Sequence, residues 1–131
     1  MIPRGIRNNN PGNIRYTGTK WIGLANPPND GSFCRFTETK FGIRAIAKII
    51  QNYNLKYGLN TVRKIIERWA PSSENETIPY INSVCRTIVS LPDDPLDLDI
   101  KMPLLCQAII KHENGDCPYS IAEIKNGVNL C

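Results

Sequence analysis

Between residues 104 and 115 the chain reads Leu-Leu-Cys-Gln-Ala-Ile-Ile-Lys-His-Glu-Asn-Gly, and this stretch limits the fold more than any other. Leu105, Cys106, Ile109 and Ile110 recur at helical spacing, and the stripe continued by three or four residues lands on Glu113. A carboxylate therefore ends an apolar helix face, and the Asn-Gly pair that follows stops the helix. Such a helix must be buried along its length and must bring one acidic group to the edge of the core. A carboxyl beside apolar surface and at the negative end of a helix dipole is the kind of group that serves as a general acid. The ordinary fate of a glutamate at a helix end is instead to reach into water.

Other helices are legible around it. Thr37 or Thr39 is expected to cap a helix whose face is Phe41, Ile43, Ala45, Ile46, Ile49, Ile50 and Tyr53, closed by Gly58. Thr61 caps a second, with Val62, Ile65, Ile66 and Trp69, ended by Ala70-Pro71. After a polar link over residues 72–76, a third begins near Thr77, takes Pro79 in its first turn and buries Tyr80, Ile81, Val84, Cys85 and Ile88. Residues 91–100, with two prolines and four aspartates, read as a solvated connection, and the glutamate helix is expected to start at Lys101 or Met102. Ser120 and Glu123 form a capping box for a last short helix over residues 121–125, stopped by Asn126-Gly127. The first 33 residues are turn-rich, with clusters at 8–13 and 26–31. Ile14, Tyr16 and Trp21 suggest a hairpin around Gly18, and Phe33 to Phe36 a second extended piece. The expected fold class is mainly α (α+β), a single domain over residues 1–131 with a small N-terminal β-hairpin or irregular flap.

At 131 residues the chain can build a core without metal or disulfide staples. The formal charge of +4 favours anionic partners, but the basic residues are scattered, so nucleic acid is not an expected partner. No apolar run approaches the roughly 18 residues of a membrane span, and residues 1–7 lack the apolar core of a signal peptide. Cysteines 34, 85, 106, 117 and 131 contain no Cys-x-x-Cys pair, and with His112 the single histidine, no metal site and no cofactor are expected. Cys117 and Cys131 could bridge in an oxidising compartment; their spacing leaves this open. Cys106 and His112, six positions apart on one helix, point to different faces and make no nucleophile–base pair.

What remains is carboxylate chemistry beside amide and aromatic groups. Glycosidic cleavage needs a protonated acid at the leaving oxygen and commonly a second carboxylate. Glu113 is the natural acid. Glu38, Glu74, Glu76 and Asp116 are the possible second carboxylates, and none lies on an apolar stripe. Cleavage in which a sugar hydroxyl attacks needs one acid/base alone and fits this sequence more easily. Asn8, Asn9, Asn10 and Asn13, with Tyr16, Trp21 and Tyr80, are groups of the kind that bind sugars. Each also has a plain alternative, as a turn residue or a core aromatic.

The order of motifs resembles a known family. Arg7-Asn8-Asn9-Asn10-Pro11-Gly12-Asn13-Ile14, Trp21-Ile22-Gly23, Phe33 and Phe36 before Gly42-Ile43-Arg44-Ala45, Trp69-Ala70-Pro71 with Glu74-Asn75 and Tyr80-Ile81, and His112-Glu113-Asn114-Gly115 with Pro118-Tyr119-Ser120 together resemble phage and prophage structural proteins with a lysozyme-like domain. The same pieces resemble lytic transglycosylases and glucosaminidases in rotated order, as if circularly permuted, with the glutamate helix last rather than first. The resemblance implies a lysozyme-like fold, Glu113 as catalytic acid/base, residues 8–13 lining the cleft and Tyr80 facing the glutamate. It implies a muramidase or lytic transglycosylase acting on the MurNAc–GlcNAc β-1,4 bond of bacterial peptidoglycan. Such a protein would reach the periplasm or cell wall as a virion component or injected effector, among other virion or secretion-system proteins. The alternative is a catalytically inactive lysozyme-fold structural or wall-binding protein of a phage particle or secretion system.

Overall fold

Five apolar stripes need a common interior, and in the computed structural model, which describes residues 1–71 and 74–131, they share one. The elements run α1 (Arg4–Arg7), β1 (Leu24–Asn29), β2 (Cys34–Phe36), α2 (Thr39–Tyr57), α3 (Val62–Trp69), α4 (Glu74–Ile88), α5 (Leu98–Asn114) and α6 (Ile121–Val128). The fold is mainly α with one small two-stranded antiparallel sheet among the described residues. Helix α5 is the hub: α1, α2, α4 and α6 all pack on it. Its Leu105, Ile109 and Ile110 are fully buried with Ile43, Ile46 and Ile50 of α2, Ile65 and Ile66 of α3, Val84 of α4 and Ile124 of α6. No helix among the described residues is long and apolar enough to cross a membrane.

Several boundaries follow the expected chemistry. Thr61 accepts from the Lys64 N–H at 3.2 Å, Gly58 takes the left-handed conformation that closes α2, and Ser120 and Glu123 form the reciprocal capping box of α6. Others differ. Neither Thr37 nor Thr39 caps α2, whose N-cap is Glu38 without a side-chain bond; Thr39 instead donates to Asn9 Oδ1 at 3.0 Å, a contact across thirty residues that local reading cannot see. Helix α4 begins at Glu74, so Thr77 is inside it, donating to the Ala70 carbonyl, and Pro79 falls in the second turn. The start of the expected polar link, residues 72 and 73, lies outside the described residues. Helix α5 starts three residues before Lys101, because Asp97, read as part of an acidic loop, accepts from the N–H groups of Asp99 and Ile100 and is the N-cap. Helix α6 runs past Asn126 to Val128. Gly127 is not a stop signal there: a Cβ on it would stand 2.6 Å from Ile43, so this glycine permits α6 to lie against α2.

The hairpin is also displaced. Residues around Gly18 form no strands beyond an isolated bridge from Arg15 to Phe33, and the paired strands are β1 and β2, with Pro27 and Pro28 inside β1. The register pairs Leu24 with Phe36 and Asn29 with Cys34 and is irregular between them, so the two prolines fall where the ladder is interrupted and their missing N–H groups are tolerated. Asp30 holds the connecting turn by accepting from the N–H groups of Ser32 (3.1 Å) and Phe33 (2.9 Å) and from Asn8 Nδ2 (2.9 Å), with Arg4 at 3.5 Å. The Phe33 N–H, then the Asn8 amide, the Ser32 N–H and Arg4 hold its carboxyl down, from 3.8 to about 2, against a smaller effect of burial. A lowered folded-state value means stability that is present above the unfolded value and lost as pH falls through the folded one. Asp30→Asn is therefore expected to lower the urea midpoint at pH 7, with the difference from wild type closing between pH 4 and pH 2. A gap that persisted unchanged at pH 2 would show that ionisation of Asp30 contributes nothing.

Candidate functional site

The last turn of α5 carries His112, Glu113 and Asn114 to the point where the N-terminal segment crosses it. Asn114 fixes that crossing: its Nδ2 donates to the Pro11 carbonyl at 2.8 Å and to the Ile110 carbonyl at 2.9 Å. The opposite ends of the sequence are thereby joined at one site. Asn9 and Asn13 both take positive φ, 52° and 50°, a conformation asparagine tolerates better than most residues. The second of these turns aims Asn13 Nδ2 at Glu113 Oε1, 3.0 Å away.

The other carboxylate oxygen is held from the opposite side. Tyr80, on α4 and 4% exposed, donates its hydroxyl to Glu113 Oε2 at 2.9 Å. Burial, the charge of Glu113 and that hydrogen bond, in that order, push the Tyr80 phenol well above its usual range, while a hydrogen bond from Trp69 acts in the other direction. Tyr80 therefore remains a donor. His112 stacks on the Tyr80 ring at 3.8 Å between centroids and 25° between planes, closing its outer face. The Oδ1 atoms of Asn13 and Asn114 are buried without a hydrogen-bond partner, and both abut Gly5, whose lack of a side chain leaves them room.

Glu113 and Asn13 open on a cleft of about 400 Å³. One wall is the N-terminal segment, Gly12 to Arg15; the other is Ile49 and Tyr53 of α2 with Trp69 and Pro71 at the end of α3. The arrangement offers a carboxylate of fixed orientation, a group able to give or take a proton, with an amide beside it and aromatic walls, all open to solvent. Glu113 is the carboxylate among the described residues lining this cleft. Glu38, Glu76 and Asp116 are exposed and away from it; the side chain of Glu74 lies outside the described residues.

Of the residues singled out from sequence, the structure brings Asn13 and Tyr80 to Glu113. Asn8, Asn9 and Asn10 are engaged elsewhere. Asn8 binds Asp30, Asn9 donates to the Phe36 and Thr37 carbonyls, and Asn10, fully buried, ties Ile14 to Cys34 through three hydrogen bonds. They shape the loop that presents Asn13. Tyr16 and Trp21 are not among the residues lining the cleft. Tyr53, Ile49 and Arg15 were not singled out as site residues. Tyr53 and Ile49 sit on the edge of the α2 stripe, where a half-buried cleft residue has the same periodicity as a core one. The five cysteines are free thiols, Cys117 and Cys131 included.

No protein-family model matches the chain. It is 42% identical over 127 residues, 95% of this chain and 79% of the relative, to Protein P5 of Pseudoalteromonas phage PM2. At that identity and coverage the chain belongs to the same family of phage proteins as Protein P5.

Proposed function

We propose that this protein is a peptidoglycan-cleaving glycosidase with a lysozyme-like, circularly permuted fold, cutting the MurNAc–GlcNAc β-1,4 bond with Glu113 as the single acid/base. The observation that carries the reading is the grip on Glu113: one oxygen held by Asn13, the other by Tyr80, at the mouth of an aromatic-lined cleft. A sequence motif order that resembles lytic transglycosylases, and membership of a phage-protein family, point the same way.

The cleavage balances with one carboxyl. Protonated Glu113 gives its proton to the bridging oxygen as the C1–O bond breaks, and charge develops on the MurNAc ring. Glu113, now a carboxylate, takes the proton of the MurNAc 6-hydroxyl as that oxygen bonds to C1, closing an anhydro ring and restoring the acid. No water is consumed. A retaining hydrolase would need a second carboxylate about 5–5.5 Å away, and an inverting one a base at about 6.5–9.5 Å; no described residue lining the cleft supplies either. Tyr80 and Asn13 orient the carboxyl, and Tyr53 and Trp69 offer faces to sugar rings.

The reading assigns this protein a cell-wall role in a phage particle or an injected effector. Its test is incubation of purified sacculi with the wild-type protein. Soluble muropeptides should appear as turbidity falls. Sacculus binding without soluble product would instead identify a wall-binding structural protein that keeps the cleft without turnover.

A further inference from the structure

Beyond Pro71 the cleft does not end. It runs into an open basin of about 710 Å³ that shares Tyr53 and Pro71 with it and adds Leu59, Lys64, Glu67 and Arg68. Tyr53 and Tyr57 are four residues apart on α2 and so lie on one face. The Arg68 guanidinium, from α3, rests over both rings, 5.5 Å from the centroid of Tyr53 and 4.0 Å from that of Tyr57. Stacking fixes the plane of the cation but leaves the N–H edge for an in-plane acceptor. Among the described residues no carboxylate lies within ion-pair distance of Arg68 or Lys64. Glu67, which shares the basin, lies one helical turn from Arg63 and adds a smaller charge effect to it than its partner Asp93 does. Lys64 precedes Arg68 by one helical turn and adds a second positive charge to the basin.

We infer that Arg68, seated on Tyr53 and Tyr57, is a carboxylate-binding subsite that selects glycan strands bearing acidic peptide stems over neutral strands of the same β-1,4 backbone. The inference rests on the glycan reading of the Glu113 cleft and deepens it by naming which glycan. A planar guanidinium prepositioned on two rings gives up little freedom on binding and pairs with a carboxylate through two parallel hydrogen bonds. A neutral chitin-like oligosaccharide offers it nothing of that kind.

The test is equilibrium binding by calorimetry on a Glu113→Gln background, so that no ligand is turned over. One ligand is a muropeptide tetrasaccharide with its peptide stems, the other a chito-oligosaccharide of equal length. Adding Arg68→Gln is expected to weaken the muropeptide about tenfold and leave the chito-oligosaccharide unchanged, while Arg68→Lys recovers part of the loss. An equal loss on both ligands, no loss on either, or failure of both ligands to bind would overturn it. Failure of the enzymatic reading appears separately, as wild-type protein that binds the muropeptide through Arg68 and releases nothing from sacculi.

Discussion

Sacculi treated with the Glu113→Gln variant are expected to lose turbidity about 10²–10⁴-fold more slowly than with wild type, the usual contribution of a positioned acid/base. The amide is close in shape to the carboxyl and its oxygen still accepts from Tyr80, but it has no proton to give to a leaving oxygen. The fold should survive. Glu113 is a half-buried group with two neutral donors and, among the described residues, no salt bridge. A 180° turn of the Asn13 amide would present its presently unpartnered Oδ1 to the new N–H₂ group. Thermal unfolding of the variant should therefore stay close to that of wild type. A variant that is inactive because it is unfolded would be recognised by that measurement, and a folded variant with full activity would remove Glu113 from the chemistry.

The largest expected effect on stability comes from Gly42→Ala. Gly42 is buried in the first turn of α2, and a Cβ there would run into the carbonyl oxygen of Asn9, with Pro11 Cδ at 3.0 Å. The obstacle is backbone, so no side-chain rotation relieves it. The N-terminal loop is also pinned on its far side, by Asn9 to the Phe36 carbonyl and by Asn114 to the Pro11 carbonyl, and cannot retreat alone. Overpacking of this kind costs about 1–3 kcal/mol, and the upper part of that range is expected here, read as a lowered urea midpoint. Activity should fall as well, because the same loop carries Asn13 to Glu113. A variant as stable as wild type would show that the loop lies off α2 in solution.

Glu113 was legible from residue spacing, since a carboxylate that completes an apolar stripe must emerge at the core edge. Its partners were not legible that way. Asn13 and Asn10 look alike in sequence, both being asparagines in one turn-rich run. One ends against Glu113, 100 positions away, and the other is fully buried as a three-bonded tie between nearby Ile14 and Cys34, 24 positions away, so distant contacts set the difference. Tyr80 on its stripe could equally have been a plain core aromatic; residue type made it a candidate sugar-binding group, and only the motif resemblance implied that it faces Glu113. Helices α3 and α6 were readable because their caps are local. The start of α5 was obscured because Asp97 stands among other aspartates, and the hairpin because Pro27 and Pro28 read as loop rather than as the irregular middle of a strand paired at Leu24 and Asn29. Arg68 carries no sequence signal at all: its meaning comes from Tyr53 and Tyr57 lying beneath it.

The proposed one-carboxylate cleavage is tested most directly by a mass spectrum of the soluble products released from sacculi. The expected result is muropeptides whose MurNAc ends are lighter by one water than hydrolysed ends, present with wild type and absent with Glu113→Gln. New ends on GlcNAc, hydrolysed MurNAc ends throughout, or the same products from both proteins would contradict it.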